Sequence, residues 1–168
     1  MVRITQATEQ DFPQVRGLFL EYIQWVIPLV EEVWGIPIPV TPADVVERDM
    51  VDVQKFMPPH GRLFLASDET DAIGCACART IRPGLAEIKR VYVRPGGRGN
   101  GTGRALIQTI LAALREAGYT AIRLETGPFM PAAEKLYRSL GFTDIAPYNE
   151  GETPKDQRQH AIFLELTL

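Results

Sequence analysis

From Glu87 to Arg104 the chain reads Glu-Ile-Lys-Arg-Val-Tyr-Val-Arg-Pro-Gly-Gly-Arg-Gly-Asn-Gly-Thr-Gly-Arg. Ile88, Val91, Tyr92 and Val93 are β-branched or aromatic and predict a strand. Pro95 cannot donate to a ladder and ends it. Five glycines follow between Gly96 and Gly103, and then Leu106, Ile107, Ile110, Leu111 and Leu114 recur at helical spacing. Strand, glycine turn and helix in this order bring several backbone N–H groups to the positive end of a helix dipole. That arrangement binds anions, and a phosphate or pyrophosphate is the expected ligand.

Three kinds of glycine loop compete for this segment. A Walker loop needs Lys after its last glycine, and none follows here. A dinucleotide fingerprint fails in each register, because Thr102, Arg104 or Leu106 stands at the sixth position. The run Arg98-Gly99-Asn100-Gly101-Thr102-Gly103 fits Arg-x-x-Gly-x-Gly, after a strand ending Val-Tyr-Val-Arg-Pro. This resembles the acetyl-CoA loop of the GNAT superfamily of N-acetyltransferases. Ala133-Glu-Lys-Leu-Tyr-Arg-Ser-Leu-Gly-Phe142 is similar to that family's closing segment, with its Leu-Tyr and Gly-Phe pairs. The resemblance is strong from Leu85 to Phe142 and weak before Arg62. A bare glycine connection is the alternative. Against it stands the local basicity of Lys89, Arg90, Arg94, Arg98 and Arg104 in a chain of formal net charge −3.

The resemblance implies acetyl-CoA as cosubstrate and no metal. It implies loop amides of Arg98, Gly99, Asn100, Gly101, Thr102, Gly103 and Arg104 around the pyrophosphate. It also implies that the strand edge at Val91, Tyr92 and Val93 pairs with the pantetheine arm, a form of strand addition. Acetyl transfer to an amine needs a proton acceptor, since an alkyl ammonium has a reference pKa of ~10.4. Glu87, in an Ala-Glu-Ile setting, is the base candidate; its alternative is a solvated charge paired with Lys89 on a face shared with Val91. Tyr137 is the acid candidate for the leaving thiolate; its alternative is a packed amphipathic tyrosine. A backbone N–H near Val91 or Tyr92 would polarise the thioester carbonyl. In many relatives an Asn follows the next strand, whereas this chain has Gly127-Pro-Phe-Met-Pro131. His60 and His160 stand alone and read as turn or strand-end residues.

The elements that must position these groups follow in order. Val2–Ala7 is a first strand, and Thr8-Glu-Gln-Asp11 resembles a capping box that opens a helix through Val15, Leu18, Phe19, Tyr22 and Ile23. Pro28, Pro37, Pro39 and Pro42 are expected to break up the apolar stretch around Trp34. Thr41 caps a second helix running through Met50. Leu63–Ser67 and Ala72–Ile81 lead as a meander into the central strand. Gly118 ends the long helix, Ala121–Thr126 is a strand, Pro131–Leu140 a short helix, and Phe142–Ile145 with Ala161–Leu166 a closing pair. Tyr148–His160 between them is longer than a hairpin needs. The fold class is α+β: residues 1–168 form one domain, a mixed sheet of about seven strands flanked by about four helices. The family likeness adds a splay between the two central parallel strands.

At 168 residues, 45% hydrophobic and 23% charged, the chain has the composition of a soluble globule. The mild negative charge argues against nucleic acid. No apolar run approaches the ~20 residues that cross a membrane, and the N-terminus lacks a signal pattern. Cys75 and Cys77 share one strand face and suit a reducing cytoplasm. The expected partner is an amine of a small molecule or peptide, without nucleic acid or membrane. Trp34, Tyr148, Glu150 and Glu152 could bind a cationic, partly apolar amine, form a homodimer edge or stand in a solvated loop. A non-catalytic acyl-CoA sensor is the competing function.

Overall fold

A computed structural model describes residues 1–168. Seven strands form one sheet: β1 (Arg3–Gln6), β2 (Gly61–Ser67), β3 (Ala72–Arg82), β4 (Leu85–Val93), β5 (Ala121–Thr126), β6 (Thr143–Asp144) and β7 (Ile162–Thr167). Their spatial order is β1-β2-β3-β4-β5-β7-β6, and only β4 and β5 run parallel to each other. Four α-helices cover the sheet: α1 (Phe12–Trp34), α2 (Pro42–Val51), α3 (Thr102–Glu116) and α4 (Pro131–Ser139).

Each face of the sheet has its own core. Leu106, Ile107, Ile110 and Leu114 of α3 pack on Ala86, Ile88, Ile122 and Leu124. On the other face Val15, Leu18, Phe19 and Ile23 of α1 and Val46 of α2 pack on Leu63, Leu65, Cys75 and Cys77. The two cysteines are fully buried and free, and burial pushes the Cys75 thiol up to about 12, so neither is a thiolate near neutral pH.

The capping signals act as the sequence indicates. Thr8 and Asp11 form a capping box, there on a short turn of 3₁₀ helix ahead of α1. Thr41 caps α2 by accepting from the Asp44 N–H at 3.1 Å. One expectation needs correction. Pro28 does not break α1, which continues through it to Trp34 and stops at Gly35, whose φ is 70°. A proline removes one helical hydrogen bond, but the buried stripe through Ile23 and Val26 continues past it, and such packing carries most helix stability.

Two irregularities of β4 create the site. β4 and β5 pair only at Leu85–Ala121, Ala86–Ile122 and Glu87–Arg123, and beyond Glu87 they part. Three residues later Arg90 takes φ 53°, the only non-glycine residue with positive φ. Across the ladder Lys89 faces Cys77 and Tyr92 faces Cys75, so Arg90 and Val91 together oppose Ala76. This is a β-bulge, and an extra residue reverses which side chains face which side. Before it, Ile88 packs toward α3; after it, Val91 and Val93 do, while Tyr92 packs toward α1.

Candidate active site

The splay opens into two chambers that meet at Met130. The larger, about 430 Å³, is floored by Val91, Tyr92 and Val93 of β4. Arg98, Gly99, Gly101, Thr102, Gly103 and Arg104 form one end, and Ala132, Ala133 and Leu136 of α4 the opposite wall. Asn100 lies on the same turn, exposed and outside the lining.

The turn has the conformation its glycines allow. Gly99 and Gly101 have φ of 82° and 81°, in the left-handed region. Gly101 is the N-cap of α3, and its carbonyl accepts the Ala105 N–H at 2.9 Å. The N–H groups of Thr102, Gly103 and Arg104 therefore precede the first intrahelical bond and remain available. Gly103 is helical; a Cβ there would meet nothing nearer than Leu136 at 3.8 Å, so the space a side chain would fill is the chamber itself. Thr102 is buried, and its Oγ1 has no partner. Free amides, an orphaned hydroxyl and a helix N-terminus together fit a phosphate group.

The basic cluster divides. Arg94 is clamped on Glu21 at 2.7 Å, and Lys89 and Arg90 are held by carboxylates described below. Arg98 and Arg104 remain on the chamber without an acidic partner. Arg98 donates from Nε to the Val93 carbonyl at 2.7 Å and lies 4.6 Å over the Trp25 ring. Arg104 donates to Ser139 Oγ at 2.8 Å.

The smaller chamber, about 170 Å³, lies on the α1 side of β4. Arg90, Glu125 and Glu152 supply its charge. Arg90 is buried; its Nε donates to Asp49 at 2.7 Å, and Nη1 and Nη2 donate to the two Glu152 oxygens at 2.9 and 2.7 Å. Lys89 lies 3.1 Å from Glu152. Burial would push the Glu152 carboxyl up, but Arg90 and Lys89 outweigh it and hold it well below the usual range. Half of the Glu152 side chain is exposed, yet its oxygens are turned onto these two cations.

Glu125 differs from every other carboxylate nearby. It accepts the backbone N–H groups of Glu152 at 2.6 Å and Thr153 at 3.2 Å and has no cationic side chain within ion-pair distance. Burial pushes its pKa up, against the pull of those two amides. Its carboxylate packs on Gly151, where no Cβ would fit.

A family model described as Acetyltransferase (GNAT) family matches residues 28–142. The chain belongs to the acetyltransferase (GNAT) family. It is 34% identical over 124 residues to the IAA acetyltransferase of Azospirillum brasilense, covering 73% of this chain and 80% of that one. It is 36% identical over 104 residues to an uncharacterised N-acetyltransferase of Schizosaccharomyces pombe, covering 61% of this chain and 64% of the relative. It spans about half the length of several mammalian N-acetyltransferases that it also matches. Its fold is that of the PaiA N-acetyltransferase of Thermoplasma acidophilum, solved in complex with coenzyme A, at TM-score 0.75, 15% identity and coverage of 100% and 99%.

In this GNAT chain the strand edge and glycine turn come together as expected. Of the two candidates for proton transfer, Glu87 lies on another face than the sequence suggests, and Tyr137 stands on the expected short helix but lines neither chamber. Glu87 is not on a solvated face, nor on the same face as Val91, because the Arg90 bulge intervenes. It is 1% exposed and lines neither chamber. Arg79 Nε donates to it at 2.8 Å, Tyr148 Oη donates at 3.0 Å, and Lys89 lies 3.7 Å away. Tyr137 is buried against Phe142, ring centroids 5.8 Å apart. Burial raises its phenol, and the nearby Tyr22 raises it further, so it keeps its proton.

Sequence reasoning missed Glu125 and Tyr22. Glu125 stands in a regular strand pattern, and only the covering segment at 151–153 makes it special. Tyr22 reads in the sequence only as one of the apolar-spaced residues of the first helix, whereas it lines the small chamber with its phenol raised to about 12 by burial. Of Trp34, Tyr148, Glu150 and Glu152, Trp34 and Glu152 line the small chamber, while Tyr148 lines neither chamber and donates to Glu87. Where the resemblance implies an Asn, Phe129 lines the small chamber and Met130 lines both. No three His, Cys, Asp or Glu side chains are placed to hold a metal ion, and no helix is long and apolar enough to cross a membrane.

Proposed function

We propose that this protein is an acetyl-CoA-dependent N-acetyltransferase acting on a primary amine, carried by a small molecule or a peptide. One observation carries the reading: an anion-binding cleft and an acid-lined cavity meet at Met130, on either side of the Arg90 bulge. Acetyl-CoA fits the first, with its phosphates at Thr102–Arg104 and its pantetheine arm along Val91–Val93. Bound there, it supplies a thioester carbon, so that the C–N bond forms as the C–S bond breaks.

The chain's own groups do the rest. Glu125 accepts the proton that the attacking amine loses. Its raised pKa and its lack of a cationic partner suit a general base better than the enclosed Glu87. Glu87 instead anchors Tyr148 and Arg79, and with them the segment covering the amine cavity. A backbone N–H freed by the bulge at Arg90–Val91 polarises the thioester carbonyl. Tyr137 keeps its proton and, beside the cleft-wall residues Ala133 and Leu136 on α4, is in this reading the donor to the leaving sulfur, from a position enclosed behind that wall.

Two free buried thiols suit work in a reducing cytoplasm. An acyl-CoA sensor would need the cleft but not Glu125 beside it. The test is coenzyme A release, read with a thiol reagent, with and without amines. Amine-dependent release that Glu125→Gln suppresses is expected. Acetyl-CoA binding without release on any amine would leave the sensor.

A further inference from the structure

The small chamber restricts the amine it can accept. Tyr22, Val26, Val30 and Trp34 are four residues apart on α1, and all four line it. Side chains at this spacing form one ridge along a helix. Twelve residues at ~1.5 Å each carry that ridge about 18 Å. Its Tyr22 end adjoins the cofactor cleft, where the Tyr22 and Tyr92 rings are 6.0 Å apart. Phe129 and Met130 face it. The cavity is thus a trough with apolar and aromatic walls, leading away from the reaction centre.

Its charges permit one cationic amine. Glu152 is committed to Arg90 and Lys89, and Arg90 also to Asp49. Glu125 alone has no cationic partner. Its side chain faces the α1 side of β5, whereas the next residue, Thr126, pairs with Ile162 and turns its side chain to the opposite face. A single free carboxylate suits one amino group. A second ammonium farther along would lie against Val26 and Val30 with no anion, which is unfavourable.

We infer that the acceptor is a primary monoamine on an apolar or aromatic body, an aralkylamine, with its amino group at Glu125 and its body along the Tyr22–Trp34 ridge. A polyamine is excluded as the preferred acceptor by the same trough. This rests on the acetyl-transfer reading above.

The test measures kcat/KM by coenzyme A release for 2-phenylethylamine, 4-phenylbutylamine and tryptamine against putrescine, spermidine and a lysine-bearing peptide. Acetyl-CoA binding is followed in parallel by calorimetry. At least a tenfold preference for an aralkylamine over spermidine is expected. Val30→Asp, which adds an anion on the ridge, should narrow or reverse that preference by at least tenfold. Val30→Asn adds polarity without charge and should not gain spermidine turnover. Thermal melting confirms that each variant is folded. If acetyl-CoA does not bind, the acetyl-transfer reading fails. If it binds and spermidine or the peptide is preferred, or no aralkylamine turns over, this inference alone is overturned. An unmoved preference in folded Val30→Asp overturns it as well.

Discussion

The guanidinium of Arg90 donates to both carboxylate oxygens of Glu152, joining the bulge of β4 to the segment that covers the small chamber. Its Nε meanwhile holds the buried Asp49. These bonds secure a residue whose own backbone is unfavourable, since a left-handed φ costs a non-glycine residue ~1–2 kcal/mol.

Substitution at Arg90 separates the backbone from the side chain. Arg90→Ala removes the pairs, keeps the strained φ and leaves Asp49 buried with Lys55 alone, at 3.4 Å. A loss of about 3–5 kcal/mol is expected in urea unfolding. Arg90→Gly relieves the φ and should recover roughly 1 kcal/mol of that. Equal stability of the two variants would show that the bulge backbone stores no strain.

The Arg90–Glu152 pair also sets an acid limit. The Glu152 carboxyl is depressed in the folded state. Its stabilisation is therefore complete above the usual carboxylate range and is lost as pH falls through its folded value. Glu152→Gln should lower stability at pH 7 by on the order of 1–3 kcal/mol, toward the lower end because half of this side chain is exposed to screening. The gap from wild type should close in strong acid, as followed by unfolding between pH 2 and 7.

Glu125 has the opposite sign. Its pKa is raised on folding, so its stabilisation is complete at acidic pH and is lost as pH rises through the folded value. Glu125→Gln should be at least as stable as wild type at pH 8, with no such advantage at pH 4. Turnover should fall by ~10²–10⁴-fold. The wild-type kcat/KM profile should rise along a limb above the usual carboxylate range, and the variant should lack that limb. If Glu87→Gln, and not Glu125→Gln, erases the limb, the base is Glu87.

The two glycines of the turn should fail for different reasons. Gly101→Val strains a φ of 81° at a place with open space around it. Gly103→Val is relaxed but fills the cleft. Both should weaken acetyl-CoA binding at least tenfold by calorimetry, and only Gly101→Val should also lower the melting temperature.

Tyr137→Phe keeps the ring against Phe142 and removes the proton donor. Turnover should drop by at least ~10-fold with stability and acetyl-CoA affinity nearly unchanged. Tyr22→Phe is the necessary comparison, because its phenol is also protonated and lines the small chamber. A loss in Tyr22→Phe alone would transfer the acid role to Tyr22.

The sequence by itself determined the local elements of this protein. Period-two and period-3.6 patterns, the caps at Thr8 and Thr41, and the glycines at 99 and 101 each act within a few residues. They were enough to give the strand–turn–helix of the anion site and, through it, the family and the fold. What only the tertiary structure decided depends on residues far apart in the chain. The bulge at Arg90 reverses the alternation of β4, and no local pattern marks it, because Asp49 and Glu152 hold it from 41 and 62 residues away. That reversal separates Glu87 from Val91. Arg79 and Tyr148 then enclose Glu87, while Glu152 and Thr153 bring only backbone amides to Glu125. A carboxylate's availability for proton transfer depends on its solvation and its partners, and in this chain folding alone assigns both.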